Sequence, residues 1–375
     1  MLKKVRIKNF LSCEDTEFDL EQITLLIGRN AAGKTNVLKA IEWCSPNNLL
    51  SLGEIERPKV NCDIEFTLHD KVFNYILKVD DIEKEKPVIE SLSYYINDKW
   101  ELLLKRNNEN VTYYKNGNGN FEVRIYDRLM RSILLVPPKD RQEEIVDVFI
   151  YLVGIKYYHL EDSVIHRGYN NQSVDYIHSS NYKYWINNNK EKLYIVMILL
   201  NLWLENKELL DEIKELVGKN GLDLINNISF EKIVVSKTKK EYFYLISFDI
   251  NNKSVSYSYL SYGTQRILTL LIALLYDKST TLLIEQPEDG VHLGLLRKVL
   301  SICFEYAEVY NKQLIITTHS PEVINMIQPE NIRLVKMTEN GTKVSAFDKE
   351  EIPFIHDYLE NQGALSDFIK SMNED

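Results

Sequence analysis

Ile23-Thr24-Leu25-Leu26-Ile27-Gly28-Arg29-Asn30-Ala31-Ala32-Gly33-Lys34-Thr35-Asn36-Val37-Leu38 is the stretch on which the fold turns. A short apolar run ends at a glycine, as a buried strand does. Val37, Leu38, Ile41 and Cys44 then recur at helical spacing until the breaker cluster Ser45-Pro46-Asn47-Asn48. Between strand and helix, Gly28 to Thr35 fits G-x-x-x-x-G-K-[ST]. Gly28 and Gly33 let the backbone wrap closely around phosphate oxygens. The N–H groups running from Arg29, Asn30, Ala31 and Ala32 to Asn36, at the helix N-terminus, point toward negative charge. Lys34 adds a point charge suited to the β- and γ-phosphates, and Thr35 offers a hydroxyl to Mg²⁺. The expected cofactors are therefore ATP and Mg²⁺.

On the N-terminal side, Val5 and Ile7 alternate with Lys and Arg before Phe10, which predicts a strand. On the C-terminal side, short alternating segments from about Cys62 to Arg124 are punctuated by Asn97-Asp98 and Asn116-Gly117-Asn118-Gly119, the pattern of antiparallel β-structure. Leu129 to Val217 is mainly helical in pattern, with a loop rich in Tyr, Asn, Ser and His from about Tyr157 to Asn189. A second β-segment, Ile228 to Ile250, follows. After Tyr259 helix and strand alternate: Arg266–Tyr276 is apolar enough for a buried helix and Thr281–Ile284 for a buried strand. Leu293–Ala307 is an amphipathic helix, Gln313–Thr318 another strand, and Glu339-Asn340-Gly341 a hairpin turn. The expected class is α/β: a mixed β-lobe carrying the phosphate loop, a helical insertion, and a parallel-sheet core. Residues 1–128 are expected to form the N-terminal lobe with its antiparallel β-subdomain, 129–228 the insertion, and 229–375 the C-terminal lobe.

With 375 residues, 45% hydrophobic and 27% charged, the chain can bury a sizeable core. Its formal charge of −10 and pI near 5.4 disfavour a surface that coats nucleic acid indiscriminately, while leaving room for a local basic patch such as Lys237, Lys239 and Lys240. Leu193–Leu204 is interrupted by Asn201 and is shorter than the roughly 20 residues a bilayer needs. The N-terminus does not resemble a signal peptide, so a cytoplasmic location without membrane contact is expected. Cys13, Cys44, Cys62 and Cys303 contain no C-x-x-C pair, which predicts reduced packing residues rather than a zinc site or a disulfide framework. His159, His166 and His178 match no metal-ligand spacing.

Further motifs follow in order: Ser261-Tyr262-Gly263-Thr264-Gln265-Arg266 at the head of an apolar helix, the apolar strand Leu282–Glu285 continuing into Gln286-Pro287-Glu288, and Thr317-Thr318-His319-Ser320-Pro321. Together with the phosphate loop and the opening Val5-Arg6-Ile7-Lys8-Asn9-Phe10, this order resembles the ABC-type ATPase heads of the SMC, RecF and OLD (overcoming lysogenization defect) groups. The similarity is greatest to OLD-like AAA ATPases. It covers roughly residues 1–44 and 255–335. The resemblance implies that Glu285 holds Mg²⁺ through water, although the family often has Asp there, and that His319 stands at the switch position near the γ-phosphate. It also implies that Ser261 and Gly263 reach the nucleotide of a second subunit, so that a homodimer shares its ATP sites.

Gln286 departs from the pattern. Catalytically active members usually carry Glu there, and an amide orients water but cannot accept its proton. General-base assistance contributes about 10²- to 10⁴-fold, so slow turnover is expected, and two explanations fit: ATP serves as a long-lived clamp, or the glutamine was introduced in place of a parental Glu to trap the bound state. Leu293 after His292 is a second departure, since proline is common there. About a seventh of the chain follows Pro321, too little for the TOPRIM nuclease of OLD proteins, and no sustained heptad run appears. The resemblance therefore implies a switch whose effector, a nuclease or toxin, is a separate polypeptide, as in bacterial anti-phage systems. The alternatives are a RecF-like DNA-repair ATPase, for which DNA is a partner, and a non-hydrolysing ATP-clamped scaffold.

Overall fold

The computed structural model describes residues 1–46, 59–79, 88–115, 119–124, 143–158, 176–188 and 194–372. His159 and His166, with most of the loop rich in Tyr and Asn, lie outside the described residues. The chain begins with β1 (Leu2–Phe10), β2 (Cys13–Asp19), β3 (Ile23–Ile27), α1 (Lys34–Trp43), β4 (Val60–Leu68), β5 (Lys71–Val79), β6 (Val88–Ile96), β7 (Lys99–Asn107), β8 (Asn110–Lys115) and β9 (Gly119–Arg124). Then come α2 (Glu143–Val153), β10 (Ile155–Tyr158), β11 (Tyr176–His178), α3 (Ser179–Asn188), α4 (Ile195–Glu205), α5 (Lys207–Val217), β12 (Asn227–Ser236), β13 (Glu241–Ile250) and β14 (Lys253–Val255). The last part holds α6 (Tyr262–Leu275), β15 (Thr281–Glu285), α7 (Leu293–Val309), β16 (Gln313–Thr318), α8 (Pro321–Ile324), β17 (Ile332–Thr338), β18 (Gly341–Ser345), α9 (Ile352–Asn361) and α10 (Leu365–Ser371).

Two compact units result, each assembled from separated stretches of sequence. The first comprises Met1–Tyr158, Ser279–Gln286 and Asn311–Asp375. One of its sheets is antiparallel, in the order β2-β1-β4-β5-β6-β7-β8-β9. Two-residue turns at His69-Asp70 and Asn97-Asp98 hold all four residues at positive φ, the conformation whose twist matches a tight hairpin. Along β4 every second side chain is buried, so Val60, Cys62, Ile64 and Phe66 face the core. The other sheet has the order β10-β15-β16-β3-β17-β18 and is parallel from β10 through β17. All six residues of β16 are buried, as expected of a parallel strand covered on both faces. Helix α1 touches strands of both sheets. Its Trp43 is 1% exposed, with its ring centroid 6.1 Å from that of Phe10.

The second unit comprises His159–Lys278 and Pro287–Tyr310. Strand β13 pairs with β12, β11 and β14, helices α3 and α4 pack against it, and α4, α5 and α6 pack with one another. Every residue of α6 from Thr264 to Leu274 is buried. Asn201, which interrupts the apolar run, is itself buried and accepts a hydrogen bond from the Tyr182 hydroxyl at 3.0 Å. A buried amide is tolerable on those terms. No helix among the described residues is long and apolar enough to cross a membrane.

The three consecutive segments expected from the sequence do not coincide with these units. Parallel pairing requires a return crossover; β16 and β17, late in the chain, pair with β3, and β15 lies beyond β16, so the strand preceding the phosphate loop belongs to the parallel core. The reading of the cysteines needs correction in one respect. Cys44 at the end of α1 and Cys62 on β4 form a disulfide with Cα atoms 6.0 Å apart, while Cys13 and Cys303 are free and buried. The partners are 18 residues apart in no motif. They meet because α1 packs within the same core as β4.

Candidate nucleotide site

The site is built at one edge of the parallel sheet. Thr318 lies opposite Ile27, and Glu285 opposite Thr317. The residues that follow β3, β15 and β16, namely Gly28, Gln286 and His319, therefore emerge at the same carboxyl edge, where open α/β sheets bind ligands.

The loop from Gly28 to Gly33 is shaped by what surrounds it. Gly33 has φ +99° and Ala31 φ +62°. A Cβ on Gly28 would collide with the Val335 carbonyl oxygen, and one on Gly33 with the Thr342 hydroxyl. Behind the loop runs a hydrogen-bond relay. Asn36 Nδ2 donates to Ser12 Oγ at 2.8 Å, Ser12 Oγ lies 2.7 Å from Thr342 Oγ1, and Thr342 Oγ1 donates to the Ala32 carbonyl at 3.2 Å. Thr342 is wholly buried, and its N–H donates to the Ser12 carbonyl at 2.7 Å. Lys34, 7% exposed, donates to the carbonyls of Gly28 at 2.9 Å and Arg29 at 3.1 Å. Arg29, Asn30 and Ala31 are exposed, while Ala32 is buried.

Glu285 is held on both oxygens. The Thr35 hydroxyl donates to its Oε1 and the Tyr157 hydroxyl to its Oε2. The next residue, Gln286, adopts φ +42°, and its N–H donates to the Thr317 carbonyl at 3.0 Å. A left-handed glutamine is a strained conformation of the kind that collects at functional sites. His319 is exposed directly after β16, where Thr318 Oγ1 accepts the Ser320 N–H at 2.9 Å.

Gly28 to Asn36, Glu285, Gln286 and His319 thus fall in the first unit, and Ser261 and Gly263 in the second. Ser261 is the exposed N-cap of α6, accepting the Thr264 N–H at 3.2 Å. A Cβ on Gly263 would meet the Gly290 carbonyl oxygen at 2.5 Å, so close backbone approach inside that unit already demands glycine there. Sequence reasoning missed Tyr157, Ser12 and Thr342. Thr342 follows the glycine of a hairpin turn and Tyr157 ends a short run, Ile155-Lys156-Tyr157-Tyr158, that has no motif. Only the pairing of β10 with β15 brings Tyr157 to Glu285. A hydroxyl and a carboxylate are hard oxygen donors, the set that suits Mg²⁺, and a buried ammonium beside peptide dipoles suits phosphate.

A phosphate loop on a parallel strand, an acidic residue ending the neighbouring strand but one and a histidine directly after the strand between them define a P-loop ATPase head of the ABC and SMC type. Within that class the chain belongs to the AAA domain family described as "AAA domain, putative AbiEii toxin, Type IV TA system", whose profile matches residues 23–325. It is similar to the ATP/GTP phosphatase of Helicobacter pylori (strain ATCC 700392 / 26695), 23% identical over 356 residues that cover 87% of each chain. It is also similar to the Old nuclease of Escherichia phage P2, 38% identical over 64 residues, 17% of this chain and 11% of that one. The match thus spans about a tenth of the phage protein's length. In fold it is similar to the SMC head solved bound to the C-winged helix domain of ScpA. That likeness has a TM-score of 0.53 at 13% identity and covers 93% of this chain and 99% of that one.

Proposed function

We propose that this ATPase is a dimeric, ATP-operated switch, the ATPase component of a bacterial anti-phage defence system that acts with a separate effector nuclease or toxin. The observation that carries the nucleotide part is the common sheet edge from which Gly28–Asn36, Glu285, Gln286 and His319 emerge. The N–H groups of the loop and Lys34 hold the phosphates, Lys34 by exchanging its carbonyl partners for phosphate oxygens. Thr35 and Glu285 hold Mg²⁺, which supplies charge neutralisation on the phosphate oxygens. His319 hydrogen-bonds the γ-phosphate or the attacking water. Gln286 orients that water without accepting its proton, so the ATP-bound state is long-lived. Ser261 and Gly263 of a second copy close the site over the γ-phosphate, and hydrolysis releases the pair. The defence role draws support from the toxin named in the family's description and from the partial likeness to a phage nuclease.

The deciding experiment is steady-state ATP turnover with Mg²⁺, comparing the native chain with Gln286→Glu at matched concentration. A gain of at least about tenfold is expected from supplying a general base. Equal inertness of both proteins, with ATP still bound, favours the second reading, a non-hydrolysing scaffold. Gln286 is the feature that speaks for it.

A further inference from the structure

We infer that Tyr157 is the positioning residue of the metal-holding carboxylate; the inference rests on the nucleotide reading of the site. Glu285 carries one more methylene than the aspartate common at this position, and so one more rotatable bond to fix. A carboxylate anchored on one oxygen can still pivot about that anchor. Here the Thr35 hydroxyl donates to Oε1 and the Tyr157 hydroxyl to Oε2, so the plane of the carboxylate is set from two sides. Thr35 donates its only proton inward to Glu285, which leaves the lone pairs of its oxygen for a cation.

The placement of Tyr157 is a consequence of topology. Strand β10 pairs in parallel with β15, Tyr157 opposite Leu283 and Tyr158 opposite Ile284, so the tyrosine stands two residues short of Glu285, near the end of the strand that delivers it. Tyr157 is also the penultimate residue before the chain leaves the first unit at His159. Hydrogen-bond partners of metal ligands commonly govern metal affinity. Tyr157 touches neither nucleotide nor water in this scheme; it acts through Glu285.

The test separates metal from nucleotide. Binding of a fluorescent ATP analogue is measured in EDTA for the native chain, Tyr157→Phe and Lys34→Ala, and Mn²⁺ is then titrated into the nucleotide complexes with free Mn²⁺ read by electron paramagnetic resonance. Tyr157→Phe is expected to keep its metal-free nucleotide affinity and to weaken Mn²⁺ binding by about tenfold. In a Glu285→Asp background the same change is expected to have less than half that effect on a logarithmic scale, because the shorter side chain withdraws from the phenol; a role in packing alone would give additive effects. Unchanged Mn²⁺ affinity in Tyr157→Phe, full additivity, or loss of metal-free nucleotide binding in Tyr157→Phe each overturns the inference. A native chain that binds no nucleotide, or a Lys34→Ala variant that binds it equally well, overturns the nucleotide reading and the inference with it.

Discussion

Lys34 is almost fully buried and hydrogen-bonded to two peptide carbonyls, an arrangement that costs solvation and returns it only in part. That cost is reasonable where an anion is to arrive. Gln286 shows a parallel economy: its left-handed backbone is anchored through Thr317, so an amide or a carboxylate at this position would leave from the same point. The cysteines allow a sharp test at this scale. Burial pushes the Cys13 thiol up to about 11 and the Cys303 thiol up to about 12, from 9.0. The protonated thiols are thus favoured by the fold: their contribution to stability is complete below pH 9 and is lost as pH rises through those values. At pH 8 the native chain is expected to resist alkylation at both. Denaturation without reductant should release those two thiols, and reduction should then add Cys44 and Cys62, counted by intact mass. Four labelled sites before reduction would show that the Cys44–Cys62 bridge does not form in the purified protein.

Three elements meet behind the phosphate loop, and their meeting is a matter of side-chain hydrogen bonds. The β1–β2 turn contributes Ser12, α1 contributes Asn36 and β18 contributes Thr342, linked to the Ala32 carbonyl. Thr342→Val preserves shape and removes the hydroxyl, leaving Ser12 and Ala32 short of a partner. Denaturant unfolding should report a loss of about 1–3 kcal/mol, accompanied by weaker nucleotide binding. Stability loss at unchanged nucleotide affinity would make the relay a support of the fold and not of the loop. Elements with one strong periodicity were legible in advance. Gln313–Thr318 is a strand with those bounds, and the buried helix expected from Arg266 begins at Tyr262 because Ser261 caps it. By contrast, β10 is too short and too mixed to announce itself. Cys44 and Cys62 follow no spacing rule, since their approach is created by helix-on-sheet packing.

At the scale of the whole molecule, the phosphate loop and Ser261 belong to different units of one chain, and the proposed dimer makes the second copy's Ser261 the partner of the first copy's phosphates. Ser261→Asp keeps a capping side chain for α6 and sets a negative charge toward the γ-phosphate. Nucleotide binding by the monomer is expected to persist, while the ATP-dependent dimer is lost in sedimentation velocity. A variant that still dimerises with ATP would remove Ser261 from the interface. The sequence by itself determined the phosphate loop, the parallel-core strands around it and the family. These rest on local pattern: a glycine where the backbone must turn, continuous apolar runs where strands are covered twice, a capping serine before a helix. The tertiary structure alone decided that β16 and β17 flank the loop strand with β15 next beyond β16, that Tyr157 and Thr35 grip Glu285 from two sides, that Ser12 and Thr342 brace the loop, and that two cysteines meet. Each of these joins residues far apart in the chain, through strand pairing and core packing that no local spacing encodes.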